Sequence, residues 1–161
     1  MQVEFPERVF TEDEVEQARK LVEHGYRHQL KIVGSPKFRR EMEKVLELIK
    51  TAGYYEFLRT YIREIKEIEG LSQLHEADVV IWANMPMMID LVDAASYIAQ
   101  KAQQMKDYLD GKLYYGTGEI SAIEKRLEFL QKLKEKSQNQ EVKKHCEELL
   151  KQWEDTKMMF P

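Results

Sequence analysis

The sequence has few of the residues that cross-link a chain or interrupt its helices. Its 161 residues include one cysteine, four prolines and seven glycines. The single cysteine, Cys146, cannot form an internal disulfide, and it excludes a zinc site made of four cysteines. A lone thiol is typical of proteins in a reducing compartment, so we predict a cytoplasmic location.

Long apolar runs are also missing. The longest uninterrupted one extends from Val79 to Ala83, whereas a membrane-spanning helix needs about 20 apolar residues. The first eight residues lack the apolar core of a secretory signal. We therefore expect a protein that has no membrane partner and carries no secretory leader.

Charge of one sign is not in large excess. Hydrophobic residues make up 43% of the chain and charged residues 34%, with a formal net charge of -4. This composition is too hydrophobic for a disordered chain, and its mild acidity argues against a nucleic-acid partner, which usually requires a basic face. The length fits one domain, and no repeat or linker divides it, so we predict a single helical domain over residues 1–161.

Apolar residues recur at helical spacing in the first part of the chain, and glycine and proline fall between the periodic segments. Thr11 and Glu14 form a T-x-x-E capping box at the start of the first segment. Ser35 as N-cap and Pro36 as first helical residue begin the second. The first three predicted helices cover residues 11–33, 36–52 and 54–68.

Residues 72–109 are predicted to form a short helix and then a long one. The run from Val79 to Trp82 has strand propensity, but no second strand is evident to pair with it, so we interpret residues 72–85 as a short buried helix. Asn84 and Pro86 then begin a helix to about Leu109. Its apolar seam has the heptad spacing of packed helices: Leu91, Ala95, Ile98, Ala102, Met105 and Leu109.

The C-terminal third is predicted to be a helical hairpin. Apolar stripes over residues 120–130 and 142–153 mark its two arms, and residues 137–140 form the turn. A loop over residues 111–118, with Tyr114 and Tyr115, precedes it. The predicted fold class is therefore all-α, a single-domain bundle of about six to seven helices that includes this C-terminal hairpin.

Two histidines of the first predicted helix could supply metal ligands. His24 and His28 are four residues apart, a spacing that places two imidazoles one turn apart on the same side of a helix. Both lie at or beyond the edge of the apolar stripe. A solvated boundary face without a function is the better explanation of that position, because no third ligand is adjacent in the sequence.

A second group of ionisable residues, His75, Glu76 and Asp78, lies in the predicted short helix. Asp78 falls on its apolar face, so we expect the carboxylate to be buried and bonded to a polar partner. Such a residue is either a structural anchor or a site residue with a shifted pKa. Together with Asp90 of the next helix, the candidate ligands for a divalent metal are His24, His28, His75, Glu76, Asp78 and Asp90.

The order of these residues is similar to that in the helical HD phosphohydrolases. The similarity rests on Glu23-His24, His75-Glu76 and a later aspartate. Enzymes of that family use a histidine, a His-Asp pair and a distant aspartate to hold a metal that activates water. This chain has His-Glu where the family has His-Asp. The resemblance implies a metal-dependent hydrolase as an alternative function.

The sequence contains no complete catalytic set, and its heptad seams favour association between helices. We therefore expect a non-catalytic helical interaction protein that forms a homodimer and needs no cofactor. The long alanine-rich helix or the C-terminal hairpin would provide the interface. Two alternatives stay open: the seams pack on each other inside one chain, or the protein is an enzyme that uses a divalent metal.

Overall fold

The structure is a computed structural model that describes residues 4–112 and 117–160, without the side chain of Thr117. Residues 113–116 of the predicted loop at residues 111–118, including Tyr114 and Tyr115, lie outside the described residues. The described α-helices are α1 (Glu12–Glu23), α2 (Pro36–Ala52), α3 (Tyr55–Tyr61), α4 (Leu91–Leu109), α5 (Thr117–Lys136) and α6 (Gln140–Met158). The strands are β1 (Lys31–Val33), β2 (Glu64–Glu67), β3 (Gln73–His75) and β4 (Val80–Ala83).

The four strands form one mixed sheet in the order β1-β2-β4-β3. Strands β1, β2 and β4 are parallel, and β3 pairs with β4 in the antiparallel direction. Ile65 and Ile81 lie opposite each other in the register and are fully buried. The protein is therefore mainly helical, but the prediction of an all-α fold is wrong.

The predicted first and third helices are shorter than expected because their last residues belong to strands. Helix α1 ends at Glu23, and α3 ends at Tyr61 before Ile62 adopts an extended conformation. Leu58, Ile62 and Ile65 are spaced as on a helix and all are buried, although Ile65 lies in β2. Apolar spacing over so few residues does not distinguish a helix from a short buried strand.

The predicted short helix at residues 72–85 is also wrong. This segment forms β3, a 3-10 turn (Glu76–Asp78) and β4, and Val79, between the turn and β4, has a φ of 62°. A second 3-10 turn (Met85–Ile89) follows, capped by the side chain of Asn84. The long helix therefore begins later than predicted, at α4, where the Asp90 side chain accepts a hydrogen bond from the Asp93 N–H.

Several predicted helical features are confirmed. The capping box of Thr11 and Glu14 begins α1, and the Ser35 side chain caps α2. Helix α2 ends at Ala52, where Gly53 adopts a φ of 82° that favours glycine. Helices α5 and α6 pack on each other as the predicted C-terminal hairpin.

Helix α4 lies at the centre of the fold and packs against α2, α3 and α5. Its seam is buried inside the chain from Ala95 to Leu109. On α6, Cys146 and Leu149 are also buried. These buried parts of the two stripes therefore pack within the chain, and α6 lies mainly against α5. Among the described residues, no helix has both the length and the apolarity that crossing a membrane requires.

Candidate functional site

An apolar cleft of about 670 Å³ opens where α2, the second 3-10 turn, α4 and α6 meet. Its apolar lining comes from all four elements: Leu48, Ile89, Leu91, Val92 and Val142. Its polar lining carries both signs of charge: Lys44, Asp90, Glu141 and His145. A concave apolar surface with a few polar groups at its edge is the usual form of a binding site.

Ile89 stands at the edge of this cleft because of the local backbone. The 3-10 turn directs Met88 into the core, and Asp90 caps α4 immediately afterwards. Ile89 is left 89% exposed between them. An exposed isoleucine beside an apolar cleft enlarges one continuous apolar patch, and such patches mark interaction sites.

The imidazole of His145 lies between two carboxylates at the cleft. Its Nε2 is 2.6 Å from Asp90 Oδ2 and its Nδ1 is 3.3 Å from Glu148 Oε2. Ionised carboxylates only accept hydrogen bonds, and both ring nitrogens can donate only when the ring is protonated, so this arrangement favours the imidazolium form. Burial alone lowers the pKa of His145, but the hydrogen bonds and charges of Asp90 and Glu148 outweigh it and raise the pKa above its ordinary value.

A buried arginine joins the three helices beside the cleft. Arg126 of α5 is 4% exposed and stacks on the Trp153 ring of α6, with its guanidinium carbon 3.9 Å from the ring centroid. Its three nitrogens donate to α4, to Asp93 Oδ1 at 2.6 Å, Ser96 Oγ at 3.1 Å and Gln100 Oε1 at 2.9 Å. Burial lowers the pKa of Arg126 against the opposing effect of Asp93. The network fixes the packing of α4, α5 and α6 behind the cleft.

The structure places the two N-terminal histidine candidates on different parts of the chain. His24 caps α1 and donates from Nδ1 to the Lys20 carbonyl at 2.7 Å. His28 follows in the loop before β1 and is only 2% exposed. Burial first, and then the charges of Arg63 and Arg59, lower the pKa of His28 to about 4. Because the helix ends before both residues, the expected pair of ligands one turn apart does not form.

The second group of candidates lies at the sheet. His75 of β3 stacks on Trp82 of β4 with ring centroids 3.5 Å apart, and Glu76 begins the first 3-10 turn. The expectation that Asp78 is buried is wrong, because its side chain is 55% exposed and lies 4.0 Å from Arg8. The 3-10 turn at Asp78 replaces the predicted buried helix, which is why its carboxylate faces solvent.

Asp90 is the one predicted site residue that lines the cleft. Across residues 4–112 and 117–160, no three His, Cys, Asp or Glu side chains are grouped so that they could hold a metal ion. Sequence reasoning missed Ile89, Arg126 and His145. Asp90 contacts His145 across 55 residues, and no local spacing in a sequence indicates a contact of that range.

No protein-family model, curated protein or solved structure matches this chain. The resemblance to the HD phosphohydrolases rests on His24, His75 and a later aspartate, and the described residues supply no grouped ligands for a metal. A metal site built from the six predicted residues stays a prediction without geometric support. The contacts of the cleft are the basis on which a function can be argued.

Proposed function

We propose that this chain is a non-catalytic interaction protein that self-associates through the face containing the apolar cleft. The observation that carries the proposal is the 670 Å³ cleft with Ile89 89% exposed at its edge. Fully burying an isoleucine side chain contributes about 1.5–3 kcal/mol. In a two-fold symmetric dimer that gain arises twice, once for each copy of Ile89.

The charges around the cleft fit a second copy of the same surface. A two-fold interface brings one patch against itself, so the patch must be self-complementary in shape and in charge. The face offers a protruding side chain, Ile89, next to an apolar concavity, and it combines the cations Lys44 and His145 with the anions Asp90 and Glu141. Opposite charges at the rim orient the two copies.

The proposed interface uses only the first residue of each surface that the sequence indicated, Leu91 of the α4 seam and Val142 of the α6 stripe. The seam of α4 from Ala95 to Leu109, together with Cys146 and Leu149 of α6, is buried within the chain. The second 3-10 turn and the first residues of α4 and α6 take their place. Self-association through this face therefore needs no rearrangement of the core.

The chemistry of the cleft supports a non-catalytic role. Both ring nitrogens of His145 are engaged by carboxylates, so neither is free to accept a proton from a substrate. The neighbouring Cys146 is buried, and burial raises the pKa of its thiol to about 11. A thiol with that pKa is not the thiolate that acts as a nucleophile or binds metals.

The remaining parts of the proposal follow from composition. The single, buried cysteine fits the reducing cytoplasm, which we propose as the location. A net charge of -4 suits a protein partner better than a nucleic acid. We propose no resident cofactor.

Sedimentation equilibrium of matched variants tests the proposal. Ile89→Asp puts a charge where apolar surface would be buried, so we expect the dimer dissociation constant to rise by at least about tenfold. The control is Leu71→Asp, because Leu71 is similarly exposed, at 84%, but lies in the loop before β3. The control should dimerise like the unaltered chain. A monomer at high micromolar concentration for the unaltered chain, or equal weakening by both variants, contradicts the proposal.

A further inference from the structure

An N-terminal strap, residues 4–10, lies across the end of the sheet and is held there by backbone hydrogen bonds and by the fully buried side chain of Val9. The Val9 N–H donates to the Ala77 carbonyl at 2.7 Å, and the Tyr108 hydroxyl donates to the Val9 carbonyl at 2.6 Å. A segment attached through backbone groups makes contacts that another peptide chain can reproduce.

The one aromatic anchor of the strap is Phe5. Its ring stacks on Tyr26 with centroids 5.1 Å apart and meets the edge of His28 at 4.6 Å. The Arg63 guanidinium carbon lies 5.5 Å from the same ring. Tyr26, His28 and Arg63 therefore form a seat, which is aromatic on two sides and cationic on the third.

The seat carries the positive charge and the hydrogen-bond donors of Arg63, and the strap offers them only neutral carbonyl groups. Arg63 donates to the carbonyls of Pro6 at 2.5 Å and Glu7 at 2.8 Å, and it has no carboxylate partner among the described residues. His28 Nε2 is buried and has no hydrogen-bond partner within residues 4–112 and 117–160. Guanidinium–carboxylate hydrogen bonds are roughly twice as strong as neutral ones. The seat therefore suits an anionic ligand better than it suits the strap.

We propose that the seat is a binding site for an acidic peptide of a partner protein. The strap occupies this site when no peptide is bound. The aromatic side chain of the peptide takes the place of Phe5. A carboxylate one or two residues further on replaces the two carbonyls at Arg63. This site shares no residue with the apolar cleft, so it is independent of self-association there.

Competition with the strap sets the strength of binding. When the strap leaves the site open in only a fraction of the molecules, the apparent dissociation constant of the peptide equals its intrinsic value divided by that fraction. Loss of the Phe5 ring raises that fraction, because the ring provides the side-chain contacts of the strap with Tyr26 and His28. Phe5→Ala should therefore improve peptide binding without altering the seat.

Calorimetric titration of the full-length chain tests the site with two probes. One is the hexapeptide acetyl-Val-Glu-Phe-Asp-Asp-Val-amide, and the other has asparagine at both aspartate positions. We expect Phe5→Ala to bind the aspartate peptide about tenfold more tightly than the unaltered chain does, and to prefer it to the asparagine peptide by about tenfold. Adding Arg63→Gln should remove this preference. Adding Arg39→Gln, which changes an exposed arginine of α2, should leave it intact.

Amide hydrogen exchange gives a second readout on the unaltered chain. A saturating aspartate peptide should accelerate exchange at Val9, whose N–H is bonded to Ala77, and leave the amides of α4 unchanged. Equal binding of the two peptides by Phe5→Ala, or no binding at about 5 mM, would overturn the proposal. So would a bound peptide that leaves Val9 protected.

Discussion

At the scale of single residues, two histidines differ in charge because their rings contact different groups. His28 meets the rings of Phe5 and Tyr26 and lies near two arginines, and no carboxylate of the described part of the chain contacts it. His145 donates to Asp90 and Glu148. Folding therefore favours the neutral form of His28 and the protonated form of His145. The contribution of His28 to stability is lost as the pH falls, and that of His145 is lost as the pH rises.

His28 should make the protein less stable in acid. Its folded pKa of about 4 lies below the ordinary value of 6.5, so its unfolded form binds the proton first. Stability is complete above about pH 6.5 and declines as the pH falls towards 4, by about 3 kcal/mol in total. Urea unfolding at about pH 7 and about pH 4.5 should show this decline in the unaltered chain but not in His28→Phe. His24→Gln, the exposed control, should behave as the unaltered chain.

The pKa of His145 should fall when Asp90 loses its charge. Asparagine caps a helix as well as aspartate does, so Asp90→Asn keeps the start of α4 and removes one carboxylate from the imidazole. Proton NMR titration of His145 should show a lower midpoint in this variant. In the unaltered chain the stabilisation is complete below the unfolded pKa and is lost as the pH rises through the raised folded pKa. An unmoved midpoint would show that Asp90 does not hold the proton.

At the scale of elements, the sequence predicts the helices with clear end signals and misses the strands. Helix α2 has a serine N-cap, a first-turn proline and a terminal glycine, and all three act as expected. The strands contain three or four residues each, too few for an alternating pattern. What makes residues 64–67 a strand is pairing with residues 31–33 and 80–83, and no local signal reports such partners.

Contacts between residues far apart in the sequence also form the candidate site, and the sequence does not indicate them. Asp90 was recognisable as an ionisable residue near a helix start, but the cleft also needs His145 from the end of the chain. The spacing of His24 and His28 indicates a metal site only if residues 11–33 form one continuous helix. The loop after Glu23 removes that geometry.

Arg126 should be the most costly charged side chain to remove from the three C-terminal helices. Arg126→Met leaves Asp93, Ser96 and Gln100 without their buried donor, which we expect to lower the free energy of unfolding by about 2–4 kcal/mol. Lys132→Met, an exposed position on the same helix, should change it by less than about 0.5 kcal/mol. Chemical denaturation of both variants measures the difference, and equal effects would contradict a structural role for the network.

At the scale of the whole molecule, a mixed sheet lies beside a helical core. Helix α4 is the common neighbour of α2, α3 and α5, so its buried seam packs within the chain, and the cleft face is the surface that we propose for self-association. That the chain forms one domain over residues 1–161 stays a prediction. The two proposed binding surfaces use different elements, and each can be altered without the other.

The strap also has a consequence for the order in which the chain acquires its structure. Val9 is fixed by Tyr108, 99 residues further along, and Glu7 by Arg63, 56 residues further along. Synthesis adds about 5–20 residues per second, and the hydrogen bond from Tyr108 to Val9 cannot form until α4 has left the ribosome. Some of the earliest described residues to be made are therefore among the last to acquire all of their contacts, and until then the strap is held less firmly at the proposed peptide site.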